Sequence, residues 1–376
     1  MSNTNRGRAP SALTIHKLCA RAAGRCQFCG CNKYLFIDEI TQEELNNTNI
    51  AHIVASSPDG PRGDAIRSHL ISDSIDNLML MCLDHHKLID SDPGKYTEAV
   101  LLKMKQEQEL AVREACDLLY KPSTEIVRFT SPIKGNVEVD IPFEKAVGAV
   151  KNNRKLESYR GIRINMKSAL DYRSPEYWRE VSKQLEREFD YKIRGELYDR
   201  PDLHLSIFPI APIPLIIKLG NMLGDKVQAD IFQKTRVPDT WEWCEEQKTN
   251  TFEVEKKIQN ASQKRIAIVM SLTAEIALKR VEEVYDFDVA YIIKAKQVGV
   301  DSIKSIEDLS GFWHEYQRVC DEIRNQYGRE CHVAIFPAIP ISAAFEIGRR
   351  YMPKVYPELT IYDEYDGFFE TLTIGG

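Results

Sequence analysis

Residues 204–220 read HLSIFPIAPIPLIIKLG, and residues 332–348 read HVAIFPAIPISAAFEIG. At an offset of 128 positions the same residue type recurs at His204, Ile207, Phe208, Pro209, Pro212, Ile213 and Gly220. A repeat that extends over several elements indicates two copies of one structural unit, related by approximate symmetry.

Each copy is predicted to alternate strands with helices. The predicted strands lie at 162–166, 203–208 and 227–232 in the first copy and at 289–293, 332–336 and 359–362 in the second, with a further apolar strand at 264–272. Such alternation predicts parallel sheets with right-handed crossovers. Ligands bind at the carboxyl ends of such strands, so a duplicated pair can present two sets of strand ends to one shared pocket.

The duplicated Rossmann-type unit, with an F-P-x-x-P turn after the strand at Phe208 and again at Phe336, resembles the SAVED domain. That domain is a fusion of two CARF-like units. The resemblance covers about residues 125–376, within a predicted domain at 121–376 whose repeats lie at about 125–275 and 276–376. It implies a sensor that binds a cyclic dinucleotide or a cyclic trinucleotide.

Side chains at the predicted strand ends are the candidates for holding such a ligand. Hydroxyls and cations there can meet phosphates, and aromatic rings can stack on bases. The candidate residues are Lys167, Phe208, Pro209, Lys234, Arg236, Trp241, Ser271, Thr273, Phe336, Pro337 and Tyr362. The alternative is that the aromatic members of this set belong to the hydrophobic core.

A second stretch, from Cys26 to Asp90, carries the spacing of a metal site. Cys26-x-x-Cys29 and Cys82-x-x-His85 are two half-sites that can close a tetrahedral zinc centre. We therefore predict a structural zinc held by Cys26, Cys29, Cys82 and His85. Two alternatives remain open: Cys31 can replace His85, and the cysteines can be buried apolar residues without a metal.

The same stretch contains CQFCGC, AHI, DNL and CLDHH in that order, and it resembles the HNH nucleases with their ββα-metal fold. The resemblance covers about residues 12–105. It implies that His52 is a general base, that Asn77 orients the site and that His86 binds a catalytic divalent cation, Mg²⁺ or else Mn²⁺ or Ni²⁺. Many relatives carry an aspartate before the base, where this chain has Ala51.

Asp90 is the first candidate to complete the cation site, and Asp38 is a weaker one. Asp90 follows His86 at i+4, so both side chains share one face of a helix. A neutral imidazole such as that of His52 can remove a proton from water near neutral pH. A cation stabilises the phosphoryl and leaving oxygens of a phosphodiester. The residue types therefore suit phosphodiester hydrolysis.

The composition is that of a globular chain of two to three domains, with 376 residues, 43% hydrophobic and 28% charged. A boundary is expected at 120/121, where a predicted helix at 96–120 ends before Lys121 and Pro122. We expect a cytoplasmic bacterial protein without a membrane span, because no apolar run reaches about eighteen residues and no signal core begins the chain. Nine cysteines, four of them near the metal half-sites, favour reduced thiols.

The net charge of −6 argues against a general nucleic-acid coat, but residues 1–37 carry six basic residues and no acidic one. Such a stretch attracts a phosphate backbone. Arg21, Arg25 and Arg62 are the predicted contacts to double-stranded DNA.

Together the two resemblances imply an effector of the bacterial anti-phage CBASS systems: an α/β chain with a ββα-metal HNH domain at 1–120 followed by the duplicated sensor. The expected activity is cleavage of double-stranded DNA, switched on when a cyclic nucleotide enlarges a resting homo-oligomer, a dimer growing to a tetramer or larger. Two alternatives remain, a DNA-binding zinc module with an inactive centre and a constitutive restriction-type nuclease.

Overall fold

The computed structural model describes residues 7–38, 40–118, 120–134, 139–236, 238–244, 250–260 and 264–375. The chain divides into two compact units, Met1–Lys121 and Pro122–Gly376. This division lies one residue after the expected boundary at 120/121.

The first unit is built around a short antiparallel strand pair. Its elements are α1 (Ala12–Arg21), β1 (Asn49–His52), α2 (Arg67–Leu70), β2 (Leu78–Met81), α3 (Leu83–Ser91) and α4 (Glu98–Leu118). Helix α1 begins where the Ser11 side chain accepts a hydrogen bond from the Thr14 amide, a normal N-cap. Strands β1 and β2 pair with His52 opposite Leu78, and α3 follows β2 directly.

All four residues of β2 are buried, so this strand is the centre of the unit's core. Leu18 of α1, Ile89 of α3 and Leu101 of α4 pack around it. Burial of a large apolar side chain contributes about 1.5–3 kcal/mol relative to exposure. The strand pair is therefore held by three helices rather than by its own few hydrogen bonds.

The second unit contains two sheets. The first is built from β3 (Ser123–Thr130), α5 (Phe143–Val150), β4 (Lys155–Leu156), β5 (Ile162–Asn165), α6 (Pro175–Phe189), α7 (Gly195–Asp199), β6 (Leu205–Ile210), α8 (Ile213–Leu223) and β7 (Ala229–Ile231). Its strand order is β4-β3-β6-β7, with β5 also paired to β3, and all pairings are parallel.

The second sheet is built from β8 (Phe252–Ile258), β9 (Arg265–Ser271), α9 (Leu278–Glu282), β10 (Val289–Ala295), α10 (Ile306–Tyr327), β11 (His332–Ala338), α11 (Ile341–Arg349), β12 (Leu359–Glu364) and β13 (Phe368–Ile374). The order is β13-β12-β11-β9-β10-β8. The four central strands are parallel, and the edge strands β8 and β13 are antiparallel to their neighbours.

The sheets correct the predicted repeat boundary at 275. Strand β9 lies in the second sheet, between β10 and β11, with Arg265 opposite His332. It is the counterpart of β3, which lies between β5 and β6 in the first sheet. The prediction placed residues 264–272 in the first copy because the parallel pairing of Arg265 with His332, 67 positions later, leaves no local mark in the sequence.

The two copies pack through the helices that carry the repeated glycines. A Cβ at Gly220 of α8 would collide with the Phe345 backbone, and a Cβ at Gly348 of α11 would collide with the Ile217 backbone. The contacts are reciprocal, because Ile217 and Phe345 are related by the same offset as the glycines. One continuous core containing residues of both sheets surrounds this crossing.

We therefore expect Gly220→Ala or Gly348→Ala to destabilise the second unit by about 1–3 kcal/mol or more, because the helices would have to separate. Thermal unfolding of the full chain measures the effect. Gly148→Ala is the matched control, since Gly148 lies in helix α5 with open space around the position of its Cβ. That variant should be neutral or slightly stabilising, as alanine favours a helix. Equal melting temperatures for all three variants would contradict the close crossing.

Candidate functional site

Four possible metal ligands converge in the first unit. One ligand atom each from Cys26, Cys31, Cys82 and His85 lies within 4.8 Å of all the others. The Cys26 and Cys82 sulfurs are 3.9 Å apart, and His85 Nδ1 lies 3.8 Å from Cys26 Sγ and 3.1 Å from Cys82 Sγ. Zinc–sulfur bonds of about 2.3 Å in a tetrahedron separate two sulfurs by roughly 3.8 Å. The donor set therefore fits a tetrahedral zinc ion.

Local structure brings these ligands together. Cys82 is the N-cap of α3, so His85 lies one turn into the helix. The Gln27 amide donates to Leu80 O at 2.8 Å, which holds Cys26 beside the buried strand β2. The His85 ring stacks on Phe28 with centroids 4.1 Å apart. Burial raises the pKa of the Cys26 thiol to about 12, so a bound cation is what would stabilise its thiolate.

The structure exchanges one predicted ligand. Cys29 is exposed and lies outside the cluster, and Cys31 occupies the fourth position. The cause is a tight turn in which the Cys31 amide donates to Phe28 O at 3.0 Å while Gly30 adopts a φ of +80°, favoured by glycine. The turn directs the chain back toward Cys26. The sequence offers both cysteines within CQFCGC, and spacing alone does not choose between them.

His52 ends β1, and its Nε2 lies 3.0 Å from the backbone oxygen of Ser72. If Nε2 carries the proton and donates it to this oxygen, Nδ1 of the neutral ring is the basic nitrogen. The imidazole is half-buried. Its Nε2 is held by the backbone of the loop that precedes β2. This contact fixes the orientation of the His52 ring.

Asn77 clips the chain after His52. Its Oδ1 accepts the Val54 amide at 2.8 Å, and its Nδ2 donates to Val54 O at 2.9 Å and to Ile71 O at 3.3 Å. The side chain is almost fully buried. Because a buried amide with matched partners is costly to replace, Asn77 fixes the segment that follows His52. Its predicted orienting role would be exercised through this backbone.

His86 and Asp90 lie on one face of α3, with His86 Nε2 3.5 Å from Asp90 Oδ2. Asp38, the weaker candidate, accepts the backbone amides of Ile40 and Thr41 in an exposed turn, and these bonds lower its pKa. Ala51 is fully buried in the core of the unit. The cation candidates that share one helix face are therefore His86 and Asp90.

The three predicted DNA-contacting arginines differ in exposure. The Arg21 side chain is 48% exposed and forms an ion pair with Asp76 at 3.3 Å. Arg25 donates to Asn32 O at 3.0 Å and lies over the Tyr34 ring. The Arg62 side chain is only 6% exposed, which corrects its predicted contact with DNA.

In the second unit, the repeated phenylalanines form matched aromatic pairs. Phe208 stacks on Phe232 with centroids 4.4 Å apart, and Phe336 stacks on Tyr362 at 4.5 Å. Trp241 packs edge-on against Phe208 at 5.3 Å. All five rings are buried. The structure therefore places Phe208, Trp241, Phe336 and Tyr362, which were predicted to contact the cyclic nucleotide, in the hydrophobic core, the alternative that the sequence left open.

The other residues predicted to contact the cyclic nucleotide differ in their exposure to solvent. Pro209 is buried and Pro337 half-buried. Ser271 Oγ accepts the Ile276 amide at 3.0 Å, and Lys234 is paired with Asp239, so both have structural partners. The candidates that present accessible side chains are Lys167, Arg236 and, in part, Thr273.

Lys167 lines a polar cavity of about 310 Å³ at the carboxyl ends of β3 and β5. Ser131, Asn165 and Arg163 also line it, and Arg163 pairs with Asp140 at 3.0 Å. Sequence reasoning did not select these three residues. Their position in the sequence could have identified them, because each lies at or within two residues of the carboxyl end of a strand, where ligands of parallel sheets bind.

Residues 183–374, just over half of the chain, match the family model described as the SMODS-associated and fused to various effectors sensor domain, SAVED. The chain belongs to the SAVED family.

Solved structures of SAVED proteins show a distant likeness. The Acinetobacter baumannii Cap4 SAVED/CARF-domain containing receptor with the cyclic trinucleotide 2'3'3'-cAAA matches at 12% identity and a TM-score of 0.44, over 78% of this chain and 60% of that one. The same receptor with 3'3'3'-cAAA matches at 12% identity and 0.42, over 77% and 60%. The chain thus spans less than two thirds of that receptor's length. No curated protein matches it.

The SAVED domain also contains a contact between its two copies that sequence reasoning missed. The Tyr172 hydroxyl, in the loop after β5, donates to the Asp363 carboxylate near the end of β12. Arg173 donates to Asp366 O at 3.1 Å beside it. The carboxyl ends of β5 and β12 are thereby tied together.

In the part of the chain that the structure describes, every helix is too short or too polar to span a membrane.

Proposed function

We propose that this chain is a metal-dependent DNA endonuclease that a cyclic oligonucleotide switches on, acting in bacterial anti-phage defence. One observation carries the nuclease part of the proposal. A ring-oriented histidine, His52, ends a strand that pairs antiparallel with β2, and the helix after β2 carries both a zinc-type ligand and His86. Membership of the SAVED sensor family supports the activation part.

The residues of the first unit divide the chemistry between them. His52 takes the proton of the attacking water through the ring nitrogen that does not face Ser72 O. Asn77 keeps the backbone after His52 in place. His86, with Asp90 beside it, would hold a divalent cation such as Mg²⁺, which supplies charge stabilisation for the phosphoryl and leaving oxygens.

A second metal would have a structural role. Cys26, Cys31, Cys82 and His85 offer a closed set of three thiolates and one imidazole, which suits zinc and leaves no open position for a substrate. The cluster joins the loop at 26–31 to the start of α3. Zinc there would fix the helix that carries His86.

The sensor part of the proposal rests on the polar cavity at the ends of β3 and β5. A cyclic di- or trinucleotide carries one negative charge per phosphate, and Lys167 and Arg163 supply cations at the cavity. Hydroxyl and amide groups of Ser131 and Asn165 can donate hydrogen bonds to phosphate oxygens. Cutting of supercoiled plasmid in the presence of each member of a panel of cyclic di- and trinucleotides tests the function.

Ligand binding and assembly are expected to be linked. Acidic residues outnumber basic ones within residues 1–120, so a single copy should hold DNA weakly, and several copies would bind one duplex by avidity. A ligand shifts such an equilibrium only by its differential affinity for the two states. We expect a resting dimer that becomes a tetramer or larger with the activating ligand, as cleavage begins.

Light scattering beside a cleavage titration tests this link. Lys167→Ala should raise the ligand concentration needed for assembly and for cleavage by about tenfold each, equivalent to about 1.4 kcal/mol. Lys257→Ala, an exposed lysine on the edge strand β8, is the control and should change neither. Full activation at constant mass would refute assembly as the switch.

A second candidate function is a zinc-containing DNA-binding module with an inactive centre. It is favoured by Ala51, a fully buried residue that supplies no carboxylate. Metal-dependent cleavage that disappears with His52→Ala would exclude it.

A further inference from the structure

The guanidinium of Arg62 lies almost enclosed between the end of β1 and the end of α3. Its Nε donates to Ile53 O at 2.7 Å, and its Nη1 donates to Ile89 O at 2.7 Å. Its Nη2 donates to Asp90 Oδ1 at 2.8 Å and, at 3.3 Å, to the backbone oxygen of His52. One side chain thus joins the backbone carbonyls of His52 and Ile53 to the last turn of α3.

The backbone of Arg62 is also unusual, with a φ of +57° in the left-handed region. A residue with a Cβ pays about 1–2 kcal/mol for this conformation. Four charge-assisted hydrogen bonds offset that cost, and the conformation directs the side chain inward instead of toward solvent. An arginine that only contacted DNA would require neither feature.

Asp90 connects this arrangement to His86. Its Oδ1 accepts from Arg62, and its Oδ2 lies 3.5 Å from His86 Nε2. A carboxylate held on one oxygen by a guanidinium presents the other in a fixed direction. Carboxylates that hold an imidazole in this way orient it toward a metal.

We propose that Arg62 is a positioning residue of the nuclease centre: it sets the separation between the strand of His52 and the helix of His86, and it holds Asp90 as the group that orients His86. This inference rests on the proposed nuclease function. The planar fork of arginine is essential to it, because lysine offers a single point charge that cannot bridge the carbonyls of Ile53 and Ile89 and the carboxylate together.

The test compares Arg62→Lys with Arg21→Ala in the full chain, using plasmid cleavage with Mg²⁺ and an equimolar mixture of cyclic di- and trinucleotides. Misplacement of a reacting group by about 1 Å costs roughly a hundredfold. Arg62→Lys should therefore lower kcat at least tenfold with KM for DNA unchanged within about twofold. Arg21→Ala should raise KM and leave kcat near the wild-type value.

DNA binding in a His52→Ala background supplies a readout that does not depend on cleavage. Each phosphate contact contributes roughly 0.9 to the slope of log affinity against log salt concentration. Arg62→Lys should keep the parent slope and affinity, whereas Arg21→Ala should reduce the slope by roughly one. A reduced slope for Arg62→Lys would identify Arg62 as a phosphate contact and overturn the inference.

Asp90→Asn is the second variant, which keeps the shape of the side chain and the three backbone hydrogen bonds of Arg62. It should also lower kcat at unchanged KM, so the inference stays testable if Arg62→Lys does not fold. Wild-type kcat in both variants would overturn it. A wild-type chain that never cleaves DNA would instead refute the proposed function, and the inference with it.

Discussion

His52→Ala should reduce DNA cleavage by at least a hundredfold, while ligand binding and metal content stay at wild-type levels. Loss of a positioned base typically costs about 10²–10⁴-fold in rate. The reason in this chain is specific, because the Ser72 backbone oxygen lies 3.0 Å from Nε2 and can fix the tautomer of the ring. Single-turnover cleavage of plasmid DNA at saturating Mg²⁺ measures the loss.

His16→Ala is the matched control for this prediction. His16 is an exposed histidine of α1 in the same unit. Its variant should cleave at the wild-type rate. An active His52→Ala protein with an unchanged rate would mean that another group removes the proton of the attacking water.

Cys31→Ser should release zinc and unfold the first unit, whereas Cys29→Ser should do neither. Binding energy at a structural zinc site is folding energy, about 10–16 kcal/mol in small zinc domains. The two cysteines are two residues apart, but only Cys31 lies within the ligand cluster, and Cys29 is exposed. Zinc content by atomic spectroscopy and thermal unfolding of both variants measure the difference.

The pair of variants also tests the geometry of the turn at Gly30. Zinc loss in Cys29→Ser with full zinc in Cys31→Ser would restore the ligand set expected from the CxxC spacing. A wild-type protein without zinc would leave the cluster as three thiols and an imidazole that hold no metal. When EDTA removes zinc from the wild-type protein, the thermal unfolding transition of the first unit should disappear.

The sequence predicted the duplicated architecture because both copies face the same packing problem. Phe208 and Phe336 fill the same place in their sheets, and Gly220 and Gly348 make reciprocal contacts at one helix crossing. Positions that pack in the same way in both copies carry the same residue type, and therefore the repeat appears in the sequence at a constant offset. The strands and helices of each copy follow from this repeat and from ordinary periodicity.

What the sequence could not predict depends on contacts between distant residues. Trp241 was expected at a ligand, but it is buried and packs edge-on against Phe208. Arg62 was expected on DNA, but its partners Ile89 and Asp90 come from a helix more than 25 residues later. Composition and spacing describe neighbours along the chain, and burial of a polar or aromatic side chain is decided by neighbours in space.

In the proposed function, a cyclic oligonucleotide controls a nuclease in this chain. The most direct measurement is the rate of plasmid cleavage by the full-length protein with Mg²⁺, with and without each member of a panel of cyclic di- and trinucleotides. We predict negligible cleavage without ligand and rapid, EDTA-sensitive cleavage with at least one member. Equal cleavage with and without every member, or no cleavage under any condition, would contradict the proposal that a cyclic oligonucleotide controls a nuclease in this chain.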